Sequence, residues 1–220
     1  MQDPGSLSSP LAFNGRRFDS LVPAVQRAST VRFPSLDDFL HRGERLPDGF
    51  SYGTTGTPTH RHLEARIAAL DGARHALVLP SGQAAIVLVM LHLLSQGDHL
   101  LISASSYGPA VAFAGEHLRR LGVDVQVYDP CIGGDIRALF KPSTRLLWME
   151  SPGSLTMEVQ DVHAMAAAAA AAGITTAIDN TWASPLYSRP LAAGVDLCVH
   201  ACTKYMGGHS DLLMGSVSTN

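Results

Sequence analysis

The chain has 220 residues, 46% of them hydrophobic, and a formal net charge of -3 at pH 7. A chain of this length can bury one full core. The small negative charge and the absence of any run of five basic residues argue against a nucleic-acid-binding surface. The longest apolar stretch, Ala84 to Leu94, contains His92 and is too short to span a bilayer.

The first 50 residues are predicted to form an irregular arm, because five prolines interrupt them. Within this arm, Ser35 to His41 is predicted to form a short helix with Ser35 as its N-cap. An arm with so little core of its own is expected to pack on a partner subunit. Residues 51–220 are predicted to form a larger second domain.

From Thr59 the pattern of apolar residues alternates between helical spacing and short apolar runs. The predicted helices are 60–70, 83–94, 109–121 and 162–172. The predicted strands are 76–79, 99–103, 123–128, 145–149, 174–178 and 196–201. Strands that alternate with helices predict right-handed crossovers and an α/β fold, with a mostly parallel sheet covered on both faces.

Polar residues follow the predicted strands, and ligands of such sheets bind outside the carboxyl ends of the strands. These residues are Ser81, Gly82, Gln83, Ser105, Ser106, Tyr107, Glu150, Ser151, Asp179, Asn180, Thr181, Thr203 and Lys204. Because the carboxyl ends of parallel strands meet at one edge, the sequence predicts a polar site there.

Several of these residues have a chemical use and also a plainer alternative. Ser81 to Gln83 would attract a phosphate at a helix N-terminus, or form a routine strand-to-helix turn. Asp179 would face a positive group such as a protonated pyridine nitrogen, or cap a turn. Lys204 would form a Schiff base in a partly desolvated site, or lie exposed at a strand end. Tyr107 would stack on a flat ring, or simply pack.

Taken together and in this order, these groups resemble one family, the Cys/Met-metabolism enzymes that depend on pyridoxal 5'-phosphate (PLP). Ala177 to Thr181 (AIDNT) and Val199 to Gly208 (VHACTKYMGG) look like that family's aspartate and Schiff-base lysine segments. Glu150 to Val159 (ESPGSLTMEV) and Lys204 to Asp211 (KYMGGHSD) are similar to its bacterial cystathionine β-lyase branch. The resemblance extends from Val22 to Asn220. It implies the three-layer, mostly parallel fold of the aspartate-aminotransferase type, here incomplete.

The resemblance assigns roles to matching positions. Lys204 would form the Schiff base with the PLP aldehyde, Asp179 would pair with the pyridine nitrogen, and Tyr107 would stack over the ring. Tyr52 would reach the phosphate of a neighbouring subunit, which implies a homodimer or homotetramer with shared active sites. Lys204, Tyr107 and Tyr52 are the implied catalytic residues, and no metal is implied. The remaining implied cofactor-binding residues are Ser81, Gly82, Gln83, Thr181 and Thr203, of which Gly82, Gln83 and Thr203 would hold the phosphate.

The chain departs from the family at two points. Thr54 stands where the family usually has an arginine that neutralises the phosphate, so a charge-assisted contact is lost. We expect weaker PLP binding, a substitute charge from His60 or Arg61, or a chain that has lost function. Family members also have a C-terminal domain that supplies the arginine for the substrate α-carboxylate. This chain stops at Asn220, so we expect a truncated form without that domain.

The implied reaction is β-elimination of L-cystathionine to homocysteine, pyruvate and ammonia, with the amine of Lys204 taking the Cα proton. Cystathionine γ-synthase, cystathionine γ-lyase and methionine γ-lyase are the alternatives within the family. Those relatives usually have an asparagine where Ser154-Leu155 stands, and this difference favours β-elimination. The alternative from another class is a catalytically inactive, truncated PLP-fold protein.

The expected partner is a small amino-acid thioether substrate, with neither nucleic acid nor membrane as a partner. Met1 to Pro10 has no positive segment followed by an apolar run, so it does not look like a signal peptide. The three cysteines form no CxxC pair, which argues against a disulfide framework or a zinc site. We therefore expect a cytoplasmic protein.

Overall fold

The computed structural model describes residues 11–13, 16–18, 20–46 and 49–220. The chain divides into two compact units, Met1–Arg66 and Ile67–Asn220. Residues 1–10, on which the expectation of no signal peptide rests, lie outside the described residues. The expected contact of the arm with a partner subunit stays a prediction.

Short elements characterise the first unit. The predicted short helix is confirmed: it begins after Ser35, whose Oγ accepts a hydrogen bond from the backbone N–H of Asp38 at 3.1 Å. A helix predicted for residues 60–70 is also confirmed. The elements that begin in this unit are β1 (Leu11–Phe13), β2 (Arg16–Phe18), α1 (Leu36–Leu40), the 3-10 helices Arg42–Arg45 and Gly53–Thr55, and α2 (Pro58–Asp71).

The second unit alternates between strands and helices, as predicted. Its elements are β3 (His75–Leu79), α3 (Gly82–Leu93), β4 (His99–Ser103), α4 (Gly108–Phe113) with a π-helical segment at Ala114–Leu118, β5 (Asp124–Tyr128), a 3-10 helix at Gly133–Leu139, β6 (Thr144–Glu150), α5 (Val162–Ala171), β7 (Thr175–Asp179), α6 (Ser184–Tyr187), a 3-10 helix at Pro190–Ala193, β8 (Leu197–His200) and β9 (Gly215–Thr219). The predicted helices and strands from residue 76 onward all correspond to one of these elements.

Seven strands of this unit form one sheet in the order β3-β9-β8-β7-β6-β4-β5. The neighbours from β8 to β5 are parallel, which confirms the predicted mostly parallel sheet. β9 was not predicted, and it pairs antiparallel with both β3 and β8. Its sequence, GSVST, has a single apolar residue, so it lacks the apolar pattern that identifies a buried strand.

Both faces of the sheet are covered by helices. Successive side chains of a strand point to opposite faces, so one strand can contribute to a core on each side. In β6, Leu146 and Trp148 belong to one buried apolar cluster, together with residues of α3. Leu147 and Met149 of the same strand belong to a second cluster, with residues of α5. This confirms the expected three-layer arrangement. Within the described ranges, no helix combines the length and apolar character that a membrane crossing requires.

Candidate active site

A pocket of about 670 Å³ lies at the carboxyl edge of the sheet, entirely within the second unit. It is lined by the last residues of β6 and β7 and by the turns that follow β3, β4 and β8. The structure brings eight of the nine predicted site residues to this pocket: Ser81, Gly82, Gln83, Tyr107, Asp179, Thr181, Thr203 and Lys204. The ninth, Tyr52, belongs to the first unit, where its side chain is half exposed. The roles of all nine stay predictions.

Asp179 is the last residue of β7 and is buried. Its Oδ1 accepts hydrogen bonds from the Thr181 backbone N–H at 3.0 Å and the Thr181 hydroxyl at 2.5 Å. The same hydroxyl oxygen accepts the backbone N–H of Ala201 at 2.7 Å. In the part of the chain that the structure describes, no hydrogen bond reaches Oδ2. Thr181 therefore fixes the carboxylate through one oxygen and leaves the other open to a ligand.

The electrostatics around Asp179 favour a positive partner. Burial raises the pKa of its carboxyl group, while the hydrogen bonds from Thr181 lower it, followed by the charges of His200 and Lys204. Lys204 lies in the turn after β8, lines the same pocket and is exposed. Its side chain forms no ion pair with another described residue. The amine is therefore available in the pocket that also contains the carboxylate.

The N-terminus of α3 provides open hydrogen-bond donors. Ser81 caps this helix: its Oγ accepts the N–H of Ala84 at 3.0 Å, and its carbonyl accepts that of Ala85 at 3.1 Å. The backbone N–H groups of Gly82 and Gln83 have no partner among the described residues. A Cβ at Gly82 would lie 2.6 Å from Cβ of Ala201, so only glycine fits there. Two free donors at the positive end of a helix dipole suit an anion.

Two further predicted phosphate ligands differ in how their polar groups are used. The Oε1 atom of Gln83 is buried without a partner, and its Nε2 lies 3.4 Å from the carbonyl of Pro109. The Thr203 hydroxyl instead donates to the carbonyl of Met214 at 3.2 Å and accepts its N–H at 3.1 Å. Gln83 thus retains unused hydrogen-bonding capacity, whereas the Thr203 hydroxyl already links two segments of the chain.

Aromatic side chains form part of the pocket lining. Tyr107 follows β4, and 41% of its surface is exposed. Trp182 and Tyr205 stack with their ring centroids 5.4 Å apart and their planes 6° apart. These last two residues were missed by the sequence reasoning, although each directly follows a segment or residue that was singled out, Thr181 and Lys204. Their positions next to Thr181 and Lys204 were the signal in the sequence that could have identified them.

Glu150 was also missed as a site residue, although it was noted as following a predicted strand. It is the last residue of β6, it is buried, and it lies directly beside Asp179 in the parallel pairing of β6 and β7. Burial and, second, the negative charge of Asp179 raise the pKa of the Glu150 carboxyl group from 4.5 to about 7. Two carboxyl groups therefore share this edge of the sheet.

Thr54 and the two proposed substitutes for the missing arginine lie in the first unit. Arg61 donates from Nη1 to Glu64 at 2.7 Å, and its Nη2 donates to the carbonyl of Thr55. The Nδ1 atom of His60 is 2.9 Å from the hydroxyl of Thr57. Both candidate cations already have partners inside this unit, so their predicted role in phosphate binding stays a prediction.

Comparison with known proteins gives consistent matches. A family model described as "Cys/Met metabolism PLP-dependent enzyme" matches residues 12–220. A cystathionine beta-lyase of Bordetella avium is 43% identical over 202 residues, which are 90% of this chain and 50% of the relative. An L-alanine/L-glutamate racemase of Wolbachia pipientis wMel is 37% identical over 217 residues, 92% of this chain and 53% of the relative.

A solved structure shares the fold along the whole chain. The crystal structure of metB from Corynebacterium glutamicum superposes with a TM-score of 0.84 at 28% identity, covering 100% of this chain and 57% of that one. The chain spans about half of the length of the curated relatives that it matches.

Proposed function

The chain belongs to the Cys/Met metabolism PLP-dependent enzyme family, and we propose that it is the cofactor-binding part of a carbon–sulfur lyase that acts on L-cystathionine. The products would be homocysteine, pyruvate and ammonia. The observation on which the proposal depends is that one pocket contains Lys204, the open oxygen of Asp179 and an open helix N-terminus. The substrate is supported by relatives that are named cystathionine beta-lyases.

The residues of the pocket fit PLP. The free N–H groups of Gly82 and Gln83 suit its phosphate, and the open carboxylate oxygen of Asp179 suits its protonated ring nitrogen. The exposed part of Tyr107 offers a flat surface for the ring. When bound, PLP supplies an electron sink that stabilises negative charge at the Cα atom of an amino acid.

Asp179 and Thr181 form one functional group in this proposal. Thr181 orients the Asp179 carboxylate through Oδ1 and is itself held by the Ala201 N–H. A buried carboxylate with a raised pKa gains free energy when a positive partner arrives, because the partner offsets the desolvation of the charge. Asp179 would therefore keep the ring nitrogen protonated.

Lys204 has two tasks in this proposal. Its amine would bind the aldehyde of the cofactor, and it would take the proton from the Cα atom of the substrate. A racemase relative would require the same Cα proton removal, so the outcome depends on the residues around the substrate side chain. Ser154 and Leu155 line the pocket where γ-specific family members usually have asparagine, and this supports β-elimination.

The proposal includes the assembly and the compartment of the protein. Tyr52 would reach the phosphate in a neighbouring copy of a homodimer or homotetramer. All three cysteines are free: Cys131 is exposed, and Cys198 and Cys202 are buried. Free thiols support the proposed cytoplasmic location.

The test begins with the purified chain, PLP and borohydride reduction. We expect a visible imine band and, after reduction, a PLP adduct on the peptide that contains Lys204. Lys204→Ala should abolish both signals, and Lys141→Ala, which removes the other lysine of the chain, should abolish neither. Cofactor attached to Lys141, or a band that survives Lys204→Ala, would refute the assignment.

The products of L-cystathionine then separate the remaining alternatives. Pyruvate together with homocysteine supports β-elimination, whereas 2-oxobutyrate would indicate a γ-lyase. Normal PLP binding with no turnover of any thioether would favour the catalytically inactive form.

A further inference from the structure

Glu150 connects two turns that belong to different parts of the sequence. Its Oε2 accepts the backbone N–H of Tyr107 at 2.6 Å, and its Oε1 accepts the hydroxyl of Ser154 at 2.6 Å. Tyr107 follows β4 and Ser154 follows β6, and all three residues line the pocket. Each carboxylate oxygen therefore holds one of the two turns against the end of the sheet.

The turn with Ser154 has a second support. The backbone N–H of Ser154 donates to the carbonyl of Ser105 at 2.8 Å. A Cβ at Gly153 would collide with the side chain of Ser105, so these two segments are in close contact. Deeper in the unit, the Nε2 atom of Gln160 donates to the carbonyl of Glu150 at 3.0 Å. The backbone around Glu150 is thus fixed, and its carboxylate is the element that reaches both turns.

From this arrangement we propose that Glu150 is a positioning residue, which holds Tyr107 over the pocket and determines whether the Ser154 hydroxyl donates to Glu150 or to a bound ligand. The inference rests on the proposed function, because it names a residue that acts on that site through two others. The ligand group that Ser154 would serve is a hydrogen-bond acceptor on the substrate or the cofactor.

The switch at Ser154 follows from hydrogen-bond chemistry. An ionised carboxylate can only accept hydrogen bonds. The Ser154 hydroxyl therefore donates its proton to Glu150 and cannot donate it to a ligand. A protonated Glu150 can still accept the Tyr107 N–H on one oxygen while it donates from the other to the Ser154 oxygen. The Ser154 proton is then free to point at a ligand. Tyr107 is held in both states, and only the Ser154 donor changes.

Charged and titratable groups on each side determine which state is populated. Asp179 on β7 is the negative neighbour, Tyr107 lies on the turn after β4, and Lys204 and Tyr205 face the same pocket from the turn after β8. The pKa of Glu150 is raised to about 7 by burial and by Asp179. Both protonation states are therefore accessible around neutral pH.

The test follows the backbone amide of Tyr107 by NMR in the full 220-residue chain. We expect its proton shift to titrate with a midpoint at about 7 and to stay constant in Glu150→Gln, which mimics the protonated acid. In Glu150→Ala, the exchange of this amide with solvent should be about tenfold faster or more, because a charge-assisted hydrogen bond is lost. Glu116→Gln, at an exposed helix position, should behave as wild type.

Two results would overturn the inference: a Tyr107 titration that persists in Glu150→Gln, or unchanged amide exchange in a folded Glu150→Ala chain. If the alanine variant does not fold, the glutamine variant decides, since it retains the shape of the side chain. These readouts need neither cofactor nor turnover. A chain without lyase activity but with the expected titration would refute the proposed function alone.

The dependence of the Ser154 hydroxyl on Glu150 is tested separately, through the binding of PLP. PLP affinity should depend on pH between 6 and 8 in wild type with a midpoint at about 7. Ser154→Ala and Glu150→Gln should each flatten that component. A pH profile that is identical in all three chains would show that Ser154 does not respond to Glu150.

Discussion

Two groups of polar residues lie in or beside the same sheet and differ in whether their polar atoms already form hydrogen bonds or ion pairs. At the pocket, one oxygen of Asp179 and the amine of Lys204 have no partner among the described residues. The other group consists of Asp71, Cys198, His200 and Ser218, all buried. There the Nε2 atom of His200 lies 2.9 Å from Oδ1 of Asp71 and 3.3 Å from Sγ of Cys198, and Oδ2 of Asp71 accepts the Ser218 hydroxyl at 2.5 Å.

The difference indicates that the buried group contributes to stability and that the pocket group is available for ligand binding. The buried group satisfies its own hydrogen bonds, so removing a member leaves partners unpaired. The pocket group has polar atoms that no protein group uses, so these atoms add little to the free energy of unfolding while no ligand is bound. We therefore expect substitutions in the buried group to change stability and substitutions in the pocket to change cofactor binding.

The largest expected effect is that of Asp71→Ala. It removes a buried side chain and strands His200 and Ser218, so we expect a loss of roughly 2–5 kcal/mol in the free energy of unfolding. Urea unfolding at pH 7 measures it. Asp124→Ala, which breaks only the exposed pair with Lys141, is the control and should change little.

Asp179→Asn is the matched change in the pocket. It should leave the free energy of unfolding nearly unchanged or increase it, because a buried charge disappears. The same change should weaken PLP binding about tenfold or more, since a charge-assisted contact to the ring nitrogen is lost. If Asp179→Asn unfolds the chain while Asp71→Ala does not, the comparison between the two groups is wrong.

The next effect concerns pH and Glu150. Its pKa is raised in the folded chain from 4.5 to about 7, so its contribution to stability is complete below pH 4.5 and is lost as the pH rises through about 7. Glu150→Gln cannot ionise and avoids this loss. At pH 8 we expect it to be more stable than wild type by on the order of 1–3 kcal/mol.

Urea unfolding at pH 5, 6, 7 and 8 checks this prediction. The two free-energy curves should lie closest at pH 5, separate progressively as the pH rises towards about 7, and run parallel above that pH. Asp179 also has a raised pKa, so part of the slope in wild type belongs to the pair rather than to Glu150 alone. Parallel curves across the whole range would show that the Glu150 carboxyl group is not shifted.

Much of the fold was predictable because its signals are local. The strands β4 and β6 contain runs of apolar residues and, like β7, end in a polar residue, and helices α3 and α5 end near glycines. β9 was not predictable in this way, since its burial depends on contacts distant in sequence: a Cβ at Gly215 would collide with the Ser81 carbonyl. The π-helical segment after α4 likewise has no local pattern that separates it from an α-helix.

The pocket was predictable where residues belong to distinctive segments, as Asp179 and Lys204 do. Glu150 ends a strand in the same manner as Asp179, but its hydrogen bond to Tyr107 joins residues that are 43 positions apart. No spacing rule indicates such a contact. Trp182 and Tyr205 stack only because the turns after β7 and β8 meet at one edge.

A smaller effect is expected for Gly82→Ala. The added methyl group would lie 2.6 Å from Cβ of Ala201, so the start of α3 must shift, with a loss of about 1–3 kcal/mol. Inorganic phosphate, added at increasing concentration, should stabilise wild type more than this variant in thermal unfolding. Gly115→Ala, where a Cβ meets nothing within 4 Å, is the control. Equal stabilisation of both variants by phosphate would mean that α3 is not the anion site.

The smallest expected effect tests whether the buried group is closed. Asp71, Cys198 and His200 are residue types that bind metal ions, and their ligand atoms lie within 4.8 Å of one another. Those atoms already bond to each other and to Ser218, and all are buried, so an ion would have to displace hydrogen bonds and has no open path. We therefore expect neither a chelator nor added Zn²⁺ to shift the midpoint of thermal unfolding. A shift of this midpoint that disappears in Cys198→Ser would show that the group binds a metal ion. The contrast with the pocket would then be wrong, because both groups would bind a ligand.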